Sequence, residues 1–214
     1  MFSVILRYLF FGLVVRPVVL FILGLNVRNR ARLPQQGPAI VVANHNSHLD
    51  TMVLMTLLPF RKLNDVHPVA AADYFLRTRL LSWFALSIIG IIPLQRQLKT
   101  SHSDPLAEVS EALTRGKILI LFPEGSRGEP EKLGALKNGV SHLAKRHPEV
   151  PVIPVFLHGL GKALPKGEGL LVPFFCDVFV GEPIYWPGDR QQHIDMLTKR
   201  FNELDSQCLH SDEW

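Results

Sequence analysis

The stretch AIVVANHNSHLD, residues 39–50, passes from five apolar residues straight into a polar segment. The run Ala39–Ala43 lies between Pro38 and Asn44 and is too short for a helix buried on all sides, so it reads as a buried strand. The polar residues behind it then stand at the strand's end. The same transition recurs further along. Ile91–Leu94 leads into QRQ (95–97), Lys117–Phe122 (KILILF) into PEGSRG (123–128), and Val152–Leu157 into HGLGKALPKGEG (158–169). In an open α/β sheet ligands gather where strand ends meet loops, so these four polar segments are expected to line one site.

Working outward, helical spacing predicts helices over Thr51–Leu58, Leu80–Ile89, Asp104–Thr114, Leu136–Arg146 and Gln191–Leu204, with Gly116 closing the third. Pro68–Ala72 and Val178–Val180 read as further strands. Alternation of strands with helices predicts an α/β class: a mixed, largely parallel sheet flanked by helices.

Residues Val4–Leu25 are almost wholly apolar, interrupted by Arg7, Arg16 and Pro17. About 20 apolar residues suffice to cross a bilayer. However, arginine at the bilayer centre costs about 2.5–3.5 kcal/mol, and proline removes a backbone donor. The expectation is therefore an N-terminal membrane-associated helical hairpin that enters one leaflet and returns, its arginines reaching lipid phosphates. A single span and a buried core helix are the alternatives. No small-residue cleavage site follows Leu25, and NVRNRAR suits a cytoplasmic-side flank, with Arg28, Arg30 and Arg32 either near headgroups or in a solvated loop. The expected organisation is an anchor at 1–26 and an α/β domain at 27–214.

Composition narrows the class. With 214 residues, 47% hydrophobic and 20% charged, the chain has enough apolar content for a sizeable core and too much for a disordered state. The net charge of +4 is uneven: residues 1–49 carry five arginines and no acid, and the remainder is close to neutral. No basic run with interleaved aromatics occurs, which disfavours nucleic acid as a partner. Two cysteines far apart in the sequence, Cys176 and Cys208, exclude a disulfide scaffold and suit a reducing compartment.

His45 stands two residues beyond the first strand and Asp50 five residues later. If Ser47 caps the following helix, Asp50 falls in its first turn, where its carboxylate can return to one imidazole nitrogen. Such a pair makes a general base. The same residues Ser47-x-x-Asp50 also make a capping box that needs no chemistry. A zinc site from His45, His48 and Asp50 lacks a matching ligand cluster elsewhere, so no metal is expected. Ser126 sits in EGSRG, which is not a nucleophile elbow, and no dinucleotide or P-loop fingerprint occurs. In Phe122–Arg127, Pro123 and Gly125 set a tight turn that presents Arg127 at a strand end, and Arg96 stands in the same relation to its own strand. Two guanidiniums so placed suit one shared anion, a surface salt bridge being the alternative for Arg127 alone.

These residues fall into four blocks in order: His45 to Asp50 with four residues between, Gly90-Ile91-Ile92-Pro93-Leu94-Gln95-Arg96, Phe122–Arg127, and the apolar segment Val150–Val155. In this the chain resembles the glycerophospholipid acyltransferases, especially the 1-acyl-glycerol-3-phosphate (lysophosphatidic acid) branch. Ser126 stands where threonine is common, and Gly128 where serine is. The resemblance implies direct transfer of a fatty acyl group from acyl-CoA or acyl-carrier protein, as co-substrate without a further cofactor, to the free hydroxyl of 1-acyl-sn-glycerol 3-phosphate. It implies His45 as general base oriented by Asp50. Arg96 and Arg127 would bind the acceptor phosphate, with Glu124, Gly125 and Ser126 in the same pocket. It also implies work on membrane lipids, which with the NVRNRAR flank sets the expected place at the cytoplasmic face of the membrane. Other acceptors, such as lyso-ornithine lipid, another lysophospholipid or glycerol 3-phosphate, and a non-catalytic lipid-binding role are the alternatives. Leu80–Ile92 would line an acyl groove or serve as ordinary core.

Overall fold

A computed structural model describes residues 2–75, 77–95, 104–126, 128, 133–163 and 175–209. Among these, seven strands form one sheet: β1 (Gly24–Arg28), β2 (Ala39–Ala43), β3 (Val66–Ala71), β4 (Ile92–Leu94), β5 (Ile118–Leu121), β6 (Val152–His158) and β7 (Phe175–Val180). Their order is β1-β7-β6-β2-β5-β3-β4. Every neighbouring pair is parallel except β6 and β7, which run antiparallel. The expected mixed, largely parallel sheet is what the chain builds.

Period-two alternation sends the sheet's side chains to two cores. Val41, Ile120, Val155 and Val178 face one layer. Ile40, Leu119, Phe156 and Phe179 face the other. The first layer is covered by α1 (Phe2–Ile22), α2 (Leu49–Leu57) and α3 (Arg79–Ile89). The second is covered by α4 (Ala107–Thr114), α5 (Gly139–Arg146) and α6 (Arg190–Leu209). With both faces covered, the central strands read as continuous apolar runs.

The N-terminal segment departs from expectation. The hairpin is replaced by one continuous helix of 21 residues, α1. Arg16 and Pro17 keep right-handed helical angles, and wide π-type turns at Phe11–Val15 and Val18–Ile22 flank them, so the helix carries on past the missing proline donor. The reason lies in packing. Arg7, Phe11, Val15 and Val19, at every fourth position, form a buried stripe against the body. Burying each of the three apolar side chains contributes about 1.5–3 kcal/mol, and a break at Pro17 would lose the last of them. Arg7 does not reach a surface as expected, being buried, while the half-buried Arg16 places its guanidinium 5.0 Å from the Phe60 ring centre.

The polar flank after α1 is an edge strand. Gly24–Arg28 pairs in parallel with Phe175–Phe179, so the boundary expected at residue 26 runs through β1. Arg28 lies over the Phe179 ring at 5.6 Å. Arg32 donates to the Val180 carbonyl at 3.0 Å and pairs with Glu182. These two side chains are therefore engaged within the protein.

Candidate active site

Parallel pairing of β2 with β5 puts Val42 opposite Leu121. His45 and Glu124 each stand three residues beyond that pair, so the two loops leave the sheet side by side. They touch at once. The His45 backbone N–H donates to Glu124 Oε1 at 2.9 Å, and the Gly128 N–H donates to the His45 carbonyl at 3.2 Å. Glu124 Oε2 accepts from the Gly134 N–H at 3.0 Å. The buried Glu124 carboxylate thus ties three loop segments together through their backbones.

On the other side, β6 holds the same loop. Asn44 Nδ2 donates to the Leu157 carbonyl at 2.9 Å, and its Oδ1 accepts from the Leu157 N–H at 2.7 Å. Asn46 Nδ2 donates to the same carbonyl at 2.9 Å. Both asparagines are buried and exchange polar groups only a neighbouring strand end can supply. His45 lies between them.

Asp50, at the start of α2, is fully buried. Its Oδ2 stands 2.8 Å from His45 Nδ1 and accepts from the N–H groups of Asn46 at 2.6 Å and Ser47 at 2.8 Å. Ser47 Oγ in turn accepts from the Leu49 N–H at 3.3 Å. The N-cap of α2 is His48 and carries no side-chain cap bond, so Ser47 is not the cap; the Asp50 carboxylate instead holds the turn before the helix and meets the histidine with one oxygen. Burial pushes the Asp50 carboxyl above its ordinary range, against the lowering effect of the hydrogen bonds from His45, Ser47 and Asn46. Oδ2 already accepts from two backbone N–H groups and so meets the ring as an acceptor, which favours the tautomer with the proton on His45 Nδ1 and leaves Nε2 as the acceptor. The ring stacks on Phe122 with centres 4.1 Å apart and planes 21° from parallel.

His45 and Phe122 open onto a cleft of about 200 Å³. Its wall is largely apolar and comes from α2, β3 and α3, with Met52, Val69, Phe84, Ala85 and Ile89. Much of the apolar stretch expected to be a groove or core is both, with inner residues on the cleft and Leu80 exposed.

At the turn after β5, Gly125 has φ +72°, the left-handed region that glycine enters without cost. Lys137, whose N–H donates to the Pro123 carbonyl at 2.9 Å, arches over it; a Cβ at Gly125 would stand 2.5 Å from the Lys137 ammonium nitrogen. Ser126 is exposed just beyond the turn. Arg96 and Arg127, expected to hold an anion, lie outside the described residues. Among the described residues, no three His, Cys, Asp or Glu side chains assemble as a metal site. Sequence reading passed over Asn44, Asn46, Phe122 and Lys137. The asparagines carried a signal, since amides flanking a strand end need buried partners. The Phe122 stack becomes visible only when β2 and β5 lie together, and Lys137 only when its segment folds back over the turn after β5.

The family described as Acyltransferase matches residues 24–158, more than half of the chain. A chloroplastic 1-acyl-sn-glycerol-3-phosphate acyltransferase of Brassica napus is 34% identical over 162 residues, covering 75% of this chain and 45% of the relative. The human 1-acyl-sn-glycerol-3-phosphate acyltransferase alpha is 27% identical over 184 residues, covering 85% of this chain and 62% of the relative. The chain thus spans about half to three-fifths of these proteins. The crystal structure of the 1-acyl-sn-glycerophosphate (LPA) acyltransferase PlsC from Thermotoga maritima shares the fold, with a TM-score of 0.67 at 22% identity over 92% of this chain and 78% of that one.

Proposed function

The chain belongs to the acyltransferase family, and from that premise we propose that it transfers a fatty acyl group from a thioester donor, acyl-CoA or acyl-carrier protein, to the free hydroxyl of 1-acyl-sn-glycerol 3-phosphate. The reading rests most heavily on the His45 Nδ1 to Asp50 Oδ2 contact of 2.8 Å at the head of an apolar cleft.

In this mechanism Nε2 of His45 takes the proton of the acceptor hydroxyl. The oxygen attacks the thioester carbonyl, and a tetrahedral intermediate forms. It collapses with cleavage of the carbon–sulfur bond, and the imidazolium returns the proton to the leaving thiolate. A thiol pKa of about 8.5 makes sulfur a good leaving group, so the demanding step is deprotonating the alcohol, which a His–Asp pair serves. Asp50 stabilises the imidazolium, and Phe122 holds the ring plane. No acyl-enzyme is needed. Arg96 and Arg127 hold the acceptor phosphate, with Glu124, Gly125 and Ser126 shaping its surroundings, and the cleft takes an acyl chain.

The same proposal places the protein on a membrane, at its cytoplasmic face. Opposite its buried stripe α1 exposes Phe2, Ile5, Leu9, Leu13 and Phe21, and α3 adds Leu80 and Trp83. A helix held along its length by the body lies in the interface with its apolar face in one leaflet.

Thiol release from oleoyl-CoA by the full-length protein in mixed micelles tests the reading. Release is expected to require an acceptor and to be fastest with lysophosphatidate. The comparison set is glycerol 3-phosphate, lyso-ornithine lipid and lysophosphatidylcholine. Release independent of any acceptor, or none with all four, contradicts it; preference for another acceptor reassigns the substrate.

A further inference from the structure

Arg7 sits within the apolar helix α1 and is only 5% exposed. Among the described residues no carboxylate pairs with it. Its Nη2 instead donates to two backbone carbonyls, Val66 at 2.7 Å and Ile89 at 3.0 Å. Val66 opens β3, and Ile89 is the last residue of α3. The final carbonyls of a helix have no partner within it and form the negative end of its dipole. The guanidinium therefore caps α3 and ties it to the start of β3 in a single contact. Gly90 makes the room: it has φ +74°, and a Cβ there would stand 2.4 Å from Arg7 Nη1.

These are two of the elements that wall the cleft beside His45, α2 adding Thr51 and Met52. Val69 and Ala70 come from β3, and Phe84, Ala85 and Ile89 from α3. The contact fixes β3 and α3 relative to each other along that wall, and the arginine that makes it is carried by the helix whose other face is apolar and exposed. We infer that Arg7 is a positioning residue for acyl-chain selection: it holds the cleft wall at a spacing that admits some chain lengths and rejects others. The inference rests on the reading of the cleft as the acyl site.

The test measures kcat/KM for thiol release across saturated acyl-CoA donors of increasing length, with lysophosphatidate as acceptor and full-length protein in mixed micelles. The wild type is expected to favour a narrow range of lengths. Arg7→Met removes both hydrogen bonds from a charged donor and is expected to change the long-to-short ratio by about tenfold or more, with the acceptor KM unchanged. Arg7→Lys, which keeps a cationic donor, is expected to restore part of the preference. An Arg7→Met protein that turns over with the wild-type length profile overturns the inference while leaving acyl transfer intact. A wild type that releases no thiol from any donor overturns the acyl-transfer reading, and the inference with it. If Arg7→Met does not fold, Gly90→Ala presses on the guanidinium from the opposite side, and an unaltered profile in that variant overturns the inference equally.

Discussion

At the scale of single residues, the site depends on polar groups that do two jobs. Asp50 holds the turn that enters α2 and meets His45 with the same oxygen, so the spacing that suggests a helix start and the spacing that suggests a base are one signal. That is why this pair was legible before any fold was known. Glu124 was legible as a residue of a turn and, through the resemblance, of the phosphate pocket, but not as a tie between loops. Its two oxygens accept from His45 and Gly134 backbone donors, contacts set by the pairing of β2 with β5. Glu124→Gln turns one of these oxygens into an amide donor facing an N–H. Leaving that donor unsatisfied costs about 1–3 kcal/mol. The expected result, read by chemical denaturation and by turnover, is a loss of stability of that size with a fall in kcat as the His45 backbone shifts. Unchanged stability and kcat would show that the carboxylate does not hold the loop.

At the scale of elements, local rules failed where packing overrode them. Proline and arginine in the middle of an apolar segment argue for a bend, yet the stripe Arg7, Phe11, Val15 and Val19 keeps α1 straight against the body. β1 escaped notice because an edge strand exposes alternate residues that are polar, and its partner β7 is some 150 positions away in sequence. The buried strands β2, β5 and β6 were readable because burial on both faces demands unbroken apolar runs. The outward face of α1 supports a prediction of its own. Leu13 and Phe21 are 71% and 86% exposed, so Leu13→Asp with Phe21→Asp removes no core contact. Surface changes of this kind typically alter stability by no more than about 0.5 kcal/mol, whereas each apolar side chain withdrawn from lipid forfeits about 1.5–3 kcal/mol. Vesicle partitioning of the double variant is expected to fall at least about tenfold with the melting midpoint unchanged. Full co-sedimentation with vesicles would contradict in-plane docking.

At the scale of the whole molecule, the sheet order explains why residues distant in sequence act together. β2 and β5 are neighbours, so the loops bearing His45 and Glu124 emerge in parallel, with β6 supplying the carbonyl that holds Asn44 and Asn46. On the far side of β5, β3 and α3 form much of the apolar wall, and α1 braces that wall through Arg7. The brace thus links a helix with an exposed apolar face to the apolar cleft onto which a single imidazole opens. Four ordered motifs marked where that imidazole stands; the brace from α1 could not be read locally, because its two acceptors are backbone carbonyls 59 and 82 positions away. The most direct measurement is turnover by the full-length His45→Ala protein with oleoyl-CoA and lysophosphatidate, beside a wild-type control and a melting curve. A general base is worth about 10²–10⁴ in rate. The account predicts a loss of at least that order with the melting midpoint preserved, and a variant that turns over at the wild-type rate would contradict it.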